Sequence, residues 1–160
     1  MSQDDNQGSL AGPILALDLG EKRVGMAISD ELLISIRRLA PVRRSNWKQL
    51  LRDVTGTVQD CDAKALVIGL PLGRNGDHGP AAESVQQTAG KFAQSLTIPV
   101  FLQDERLTSV AAAEQLRDAG HSPSEAKNLI DSQAAAIILA DFIGTNQNRI
   151  EVKAKDMNDV

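Results

Sequence analysis

One acidic residue interrupts the first strongly apolar segment of the chain. Asp18 stands near the end of the run ILALDLG, residues 14–20, and a second apolar run, VGMAI, follows at residues 24–28. Short apolar runs of this kind are typical of buried strands. A buried ionised carboxylate is costly unless a cation or a metal ion compensates its charge. Asp18 therefore either faces a functional cleft or is paired with a cation, and both alternatives direct attention to the other charged residues.

The composition indicates one globular domain. The chain has 160 residues, of which 42% are hydrophobic and 24% are charged, and this length allows a sizeable hydrophobic core. A formal net charge of −4 disfavours binding of nucleic acid through overall charge but leaves room for local basic patches. Because the chain has three Phe, one Trp and no Tyr, a base-stacking platform is also disfavoured. Cys61 is the single cysteine, so no internal disulfide can form.

The ends of the sequence differ from its middle. The first residues, MSQDD, are acidic and lack the apolar segment of a secretory signal, and no apolar run approaches membrane-spanning length. We therefore expect a cytoplasmic protein without a membrane partner. The patterning further predicts a disordered arm at residues 1–12, a folded domain at 13–144 and a flexible tail at 145–160.

Strand and helix patterns interleave along the domain, in the predicted order β-β-β-α-β-α-β-α-α. The first two strands are joined by a hairpin at residues 20–23, and a third strand is predicted at 32–39. A helix then begins near Ser45, and strands at 65–69 and 99–102 enclose a helix that begins at Pro80. Thr108 is a predicted N-cap, a capping box occupies 122–125, and the final helix is predicted at about 131–143. The expected fold is a mixed α/β domain with a five-stranded sheet and an antiparallel start.

Two further acids are predicted to lie near Asp18. Ligands of open α/β sheets bind at the carboxyl ends of the strands, and Glu105 follows the strand at 99–102 by a few residues. Asp131 is predicted at the start of the last helix, on the same face as the apolar residues of that helix. We therefore expect Asp131 to point at the sheet, toward Asp18.

Each of these acids also has a simpler explanation. An acid at a helix N-terminus complements the helix dipole, and Glu105 alone would be an ordinary loop charge. Taken together, three carboxylates without accompanying Cys or His form the ligand set that suits Mg²⁺ or Mn²⁺. Such ions catalyse phosphodiester hydrolysis by activating water and stabilising the leaving oxygen. Asp18, Glu105 and Asp131 are thus the predicted metal ligands and catalytic residues of a site for such an ion.

Four segments of the chain resemble, in order, the signature motifs of the YqgF family. Members of that family are Holliday-junction-resolvase-like proteins that are regarded as pre-16S rRNA nucleases. The segments are DLGEKRVGMAISD at 18–30, GLPLGRNG at 69–76, DERLTS at 104–109 and DSQAAAIIL at 131–139. The resemblance implies an RNase H-like fold whose first three strands are antiparallel, and it places Asp18, Glu105 and Asp131 at the metal-binding acids of the family. It also implies that the substrate is the 5′ region of precursor 16S rRNA.

Basic residues surround the predicted site. Lys22 and Arg23 follow Asp18 in the hairpin, where they are placed to contact a phosphate backbone. The alternatives are an exposed basic turn or a salt bridge from Arg23 to Asp30. The densest basic cluster flanks the third predicted strand, where it would widen a nucleic-acid footprint or deter edge-to-edge aggregation, and consists of Arg37, Arg38, Arg43 and Arg44.

Three more candidates for substrate binding lie in loops. Arg74 and Asn75 belong to a glycine-rich loop before a helix, which is either an anion site or a turn that needs positive φ angles. Arg106 adjoins Glu105 and is a candidate to contact substrate or to neutralise the carboxylates in the absence of metal; the alternative is a structural salt bridge.

Other functions remain open at this point. A DNA junction resolvase would need a symmetric dimer to cut two strands, and the sequence is compatible with a monomer or a homodimer. The substrate would then be branched DNA instead of precursor rRNA. A non-catalytic ribosome-assembly factor would bind RNA through the same cleft. The Asp18-x-Gly20 pattern also occurs in actin-like ATPases, but those enzymes use two such domains and this chain has room for one.

Overall fold

The chain folds around one six-stranded mixed sheet. The computed structural model describes residues 10–73, 75–105, 114–144 and 149–153. The sheet order is β3-β2-β1-β4-β5-β6. β1, β2 and β3 are antiparallel, β4 and β5 continue parallel to β1, and β6 is antiparallel to β5. The strands are β1 (Ile14–Leu19), β2 (Arg23–Ser29), β3 (Ile36–Arg43), β4 (Ala65–Leu70), β5 (Val100–Asp104) and β6 (Arg149–Val152).

Helices cover both faces of the sheet. They are α1 (Trp47–Cys61), α2 (Pro80–Ser95) and α3 (Pro123–Gly144), and residues 114–118 are also helical. α1 and α2 pack with one set of strand side chains, and α3 packs with the opposite set. The predicted mixed α/β architecture with an antiparallel start is therefore confirmed.

Alternation along β1 determines which face carries the first acid. Leu15 and Leu17 belong to the core under α1 and α2, whereas Ile14 and Ala16 belong to the core under α3. Because successive strand residues point to opposite faces, Asp18 lies on the same face as Ile14 and Ala16. We call this the α3 face of the sheet.

The third strand begins later than the sequence predicts. The apolar residues of 32–39 suggested a strand there, but β3 spans Ile36–Arg43, and Leu32 and Ile34 are 75% and 78% exposed. The Asp30 carboxylate accepts hydrogen bonds from the backbone N–H groups of Ile34 (2.7 Å) and Ser35 (3.1 Å). These bonds form a turn that keeps the first predicted strand residues out of the ladder.

The last helix is longer than predicted. Ser122 Oγ accepts from the Glu125 backbone N–H (3.3 Å) and donates to Glu125 Oε1 (2.8 Å), so the expected capping box is present. α3 begins there and continues without a break for 22 residues. The prediction that Asp131 starts the helix is therefore wrong. It lies in the third turn, too far from the N-terminus for the helix dipole to explain it.

The sheet contains one strand more than the five predicted. β6 falls within residues 145–160, which the sequence assigned to a tail, and it pairs with β5 from Val100 to Gln103. The rest of that tail, apart from residue 153, and residues 1–9 of the predicted arm lie outside the described residues. Leu10 packs against the core under α3. In the part of the chain that the structure describes, no helix is long and apolar enough to cross a membrane.

Candidate active site

Asp18 and Glu105 lie at the carboxyl ends of two parallel strands with β4 between them. Asp18 is the penultimate residue of β1, and Glu105 directly follows β5, where its backbone N–H donates to Leu70 O (3.1 Å). The intervening strand carries Gly69 at this level. A Cβ built on Gly69 would lie 2.5 Å from Glu105 Oε2 and 2.5 Å from Ile138 Cδ1. The missing side chain at Gly69 therefore gives the Glu105 carboxyl room to extend over β4.

The two carboxyl groups are hydrogen-bonded to each other. Such a bond requires that one of them carry a proton. Burial, followed by the charge of Asp18 and this hydrogen bond, raises the pKa of Glu105 to about 9. Burial also raises the pKa of Asp18, and the charge of Asp131 adds to that effect, while the hydrogen bond from Glu105 works against it. Without a bound cation the two carboxyl groups therefore share one proton near neutral pH.

Asp131 approaches the same region from α3. Its Oδ2 atom lies 3.2 Å from Arg23 Nε, in an ion pair in which the Arg23 side chain is 46% exposed. The alternative pairing of Arg23 with Asp30 is wrong. The Asp30 carboxylate accepts the two backbone hydrogen bonds of the turn, which lower its pKa. The structure thus pairs Asp18 with Glu105 and places Asp131 near enough for its charge to raise the pKa of Asp18, with Arg23 beside it.

The composition of this cluster suits a hard cation. Carboxylate oxygens are the donors that Mg²⁺ and Mn²⁺ prefer. Among the described residues, however, no three acids, histidines or cysteines already surround one point. Instead, Asp18 and Glu105 contact each other and Asp131 is paired with Arg23, so a shared cation would have to replace both contacts.

The other predicted substrate-binding residues are spread more widely. Lys22 is exposed in the β1–β2 turn, and Asn75 is exposed in the loop between β4 and α2. Arg74 and Arg106 lie outside the described residues. The loop closes through a hydrogen bond from Gly73 N to Asp77 O (2.9 Å), and Gly76 has a φ of 84°. The turn interpretation of this loop therefore accounts for its glycine.

Sequence reasoning missed the glycines that shape the site. A Cβ on Gly25 of β2 would overlap the backbone oxygen of Asp131, and one on Gly69 would meet Glu105. Both glycines interrupt apolar strand patterns, and an isolated glycine within a strand often marks a close approach of another chain segment. That signal was present in the sequence and identifies where α3 and the Glu105 side chain come nearest to the sheet.

A mixed sheet with an antiparallel start, helices on both faces and acids at the strand ends is an RNase H-like architecture. Solved structures agree. Thermus thermophilus RuvC superposes with a TM-score of 0.54 at 13% identity, covering 88% of this chain and 100% of that one. The fowlpox virus resolvase in complex with Holliday junction DNA gives a TM-score of 0.50 at 14% identity, covering 83% and 97%. At these identities the likeness establishes the fold.

Sequence comparison identifies the family within this class. The sequence model described as "RuvX: Holliday junction resolvase" matches residues 12–145, and the chain belongs to this family. A protein of Roseiflexus sp. (strain RS-1) named "Putative pre-16S rRNA nuclease" is 39% identical over 136 residues, 85% of this chain and 96% of that protein. A Chloroflexus aurantiacus protein of the same name is 41% identical over 139 residues, 85% and 91% of the two chains. The resemblance to the YqgF family is thereby confirmed, and membership of this family makes the protein a nuclease that acts on phosphodiester bonds.

Proposed function

We propose that this nuclease depends on Mg²⁺ or Mn²⁺ held by Asp18, Glu105 and Asp131, and that it processes the 5′ end of precursor 16S rRNA. The contact between the carboxyl groups of Asp18 and Glu105 carries the proposal of metal dependence. The pKa values of these two half-buried, hydrogen-bonded acids are both raised, because burial and nearby negative charge disfavour the charged forms. Holding them together therefore costs folding free energy. A divalent cation in place of the shared proton would relieve that cost.

The chain supplies rigid supports for the three acids. Asp18 projects from β1 in the middle of the sheet. Glu105 follows β5, which β4 separates from β1, and Asp131 lies in the third turn of α3. When bound by these residues, the metal would activate a water molecule and stabilise the leaving oxygen of the phosphodiester. The chain itself orients the acids and keeps apolar core directly beneath them.

Basic residues on the α3 face favour one approach path for the substrate. Arg23 of β2 pairs across the strands with Arg43 of β3, and cross-strand partners share a face of the sheet. Further along β3, Arg38 lies opposite Ala27 and donates from Nη1 to Gln133 Oε1 (3.3 Å), so it also lies on the α3 face. We infer that the phosphate backbone runs along this side of the site.

Arg23 is also one of the substrate contacts proposed from the sequence. In this proposal Arg23 changes partner from Asp131 to a phosphate once the metal is bound. The other proposed contacts with nucleic acid are Lys22, Arg74, Asn75 and Arg106.

Precursor 16S rRNA is proposed as the substrate because relatives at 35–41% identity carry that activity in their names. We keep the cytoplasmic location and the monomer or homodimer as predictions from the sequence. The domain predicted at 13–144 is kept with β6 added to it, because that strand pairs with β5. Branched DNA is the second candidate substrate, and the description of the family model favours it.

One assay separates these possibilities. Purified protein is incubated with Mn²⁺ and either a precursor 16S rRNA fragment or a four-way DNA junction. We expect cleavage of the RNA near the 5′ end of the mature sequence, and preferential cleavage of the junction would instead support the resolvase. The variants Asp18→Asn, Glu105→Gln and Asp131→Asn should each lose about 100-fold or more in rate while remaining folded. If all three variants cleave like the parent, the assignment of the acids is wrong.

A further inference from the structure

The pairing of β2 with β3 is irregular directly beside the site. The cross-strand pairs Val24–Val42 and Met26–Leu39 enclose Gly25 alone on β2 but Ala40 and Pro41 on β3. One extra residue on one strand is a β-bulge, which opens the ladder locally. Pro41 adds to the opening because it has no backbone N–H to donate.

A hydroxyl group from α3 enters this opening. Ser132 Oγ donates a short hydrogen bond to Leu39 O (2.7 Å) and accepts a longer one from Met26 N (3.5 Å). Met26 and Leu39 are partners across the two strands, so the hydroxyl bridges them. Ser132 is only 3% exposed, and its hydroxyl is satisfied by backbone groups of the sheet.

The bridge lies next to Asp131. The backbone oxygen of Asp131 rests against Gly25, where no Cβ would fit. Gly25 is in turn the β1–β2 partner of Asp18. Two consecutive residues of α3 are therefore fixed to β2, one by close contact with a glycine and the other by hydrogen bonds, at the strand position opposite Asp18.

We infer that Ser132 is a positioning residue for the metal site: its hydroxyl locks α3 into the β2–β3 bulge and so sets the Asp131 carboxylate relative to Asp18. This inference rests on the proposed metal dependence. Groups that orient a ligand without touching the metal change metal affinity by about 10- to 100-fold when they are removed. Ser132→Ala should do the same here.

The chain offers a matched control in Ser29. This residue is 4% exposed, and its Oγ accepts from Ile14 N (2.8 Å) and donates to Asp30 O (3.1 Å). It bridges backbone groups as Ser132 does, but at the opposite end of β2 from the acids. Ser29→Ala and Ser132→Ala should therefore lower the melting temperature by similar amounts, while only Ser132→Ala should disturb the site.

The test measures Mn²⁺ affinity by titration calorimetry on the full chain. We expect the affinity to fall about 10- to 100-fold in Ser132→Ala and to stay within about twofold of wild type in Ser29→Ala. Wild-type affinity in Ser132→Ala, or an equal loss in both variants, would overturn the inference. If Ser132→Ala folds poorly, Ser132→Thr takes its place in the test. The threonine variant keeps the hydroxyl and should retain most of the Mn²⁺ affinity, and a loss of about 10- to 100-fold in this variant would also contradict the bridge.

A second measurement needs no metal. Amide hydrogen exchange of Met26 in EDTA should be about tenfold faster in Ser132→Ala and unchanged in Ser29→Ala, because only the former removes its acceptor. Unchanged exchange in Ser132→Ala would contradict the bridge. If the wild-type protein binds no Mn²⁺, the proposed metal dependence is refuted, and so is the role of Ser132 at a metal site. The exchange experiment would still show whether the hydrogen-bonded bridge exists.

Discussion

The carboxyl group of Asp18 is hydrogen-bonded to that of Glu105 across β4, the strand that separates β1 from β5. Gly69 makes this contact possible, because any side chain there would meet the Glu105 carboxyl. The metal-free site consequently retains a proton at neutral pH. Its stability and its metal affinity should both depend on pH in a direction that the structure fixes.

The first prediction concerns stability without metal. The pKa of Glu105 is raised from its ordinary value of 4.5 to about 9, so between these values the folded chain binds more protons at this group than the unfolded chain does. The free energy of unfolding therefore falls as the pH rises from 4.5 to about 9. The stability that Glu105 contributes is fully present only below the pKa of the unfolded chain. Glu105→Gln removes the titration, so in EDTA its melting temperature should exceed that of wild type increasingly from pH 5 to pH 9.

Thermal unfolding at several pH values checks this expectation. The comparison with the glutamine variant isolates Glu105 from groups that titrate equally in both proteins. Glu125 is a suitable control, since its pKa is lowered by hydrogen bonds from Ser122. Glu125→Gln should not reproduce the increasing advantage, and parallel pH profiles for wild type and Glu105→Gln would show that the carboxyl is not held neutral.

The second prediction concerns the proton that a metal displaces. If Mn²⁺ binds between carboxylates that share a proton, binding should release close to one proton near pH 7. Calorimetric titrations in two buffers with different ionisation enthalpies measure this number directly. The affinity should also rise with pH up to about 9, the pKa of Glu105. A heat of binding that is independent of the buffer would place the metal elsewhere.

The third prediction concerns the ion pair of Arg23 with Asp131, whose side chains are 46% and 25% exposed. An ion pair this accessible contributes at most about 1 kcal/mol. If Mn²⁺ must break this pair to bind Asp131, the pair weakens Mn²⁺ binding by at most about fivefold. Arg23→Gln frees the Asp131 carboxylate, so Mn²⁺ should bind about two- to fivefold more tightly. Because the same arginine is proposed to contact phosphate, KM for RNA should rise in this variant.

Lys22→Gln is the matched control for Arg23→Gln. It removes the same charge from the neighbouring exposed position in the turn, without breaking the ion pair with Asp131. We expect weaker RNA binding with unchanged Mn²⁺ affinity. Equal tightening of Mn²⁺ by both variants would indicate a general effect of net charge.

The sequence alone predicted the sheet and its polarity well, because apolar runs and their spacing determine which segments can be buried strands. It placed Asp18, Glu105 and Asp131 in one region by combining strand ends with helix periodicity. It misplaced β3 because Leu32 and Ile34 extend the apolar pattern, whereas the hydrogen bonds of Asp30 hold them in a turn. Those bonds depend on local side-chain chemistry that periodicity does not register.

The contacts between α3 and the sheet were beyond the sequence for a different reason. Whether Ser132 faces solvent or enters a bulge depends on the β2–β3 register, which involves residues distant from Ser132 in the chain. The partner of Arg23 depends on the same packing. These features are tertiary, and they determine the electrostatics of the site more directly than the motifs do.

The fourth prediction tests how closely α3 must approach β2. In Gly25→Ala the new methyl group would collide with the backbone of Asp131, which cannot move without shifting the helix. Overpacking of this kind costs about 1–3 kcal/mol or more, and the shift should also carry Asp131 away from Asp18 and reduce cleavage.

Gly56→Ala is the control, because nothing lies within 4 Å of a Cβ at that position in α1. Replacing a helical glycine stabilises by up to about 1 kcal/mol, so its melting temperature should rise with cleavage unchanged. Thermal unfolding and RNA cleavage measured on both variants decide the matter, and normal cleavage by a stable Gly25→Ala protein would mean that the site tolerates a displaced helix.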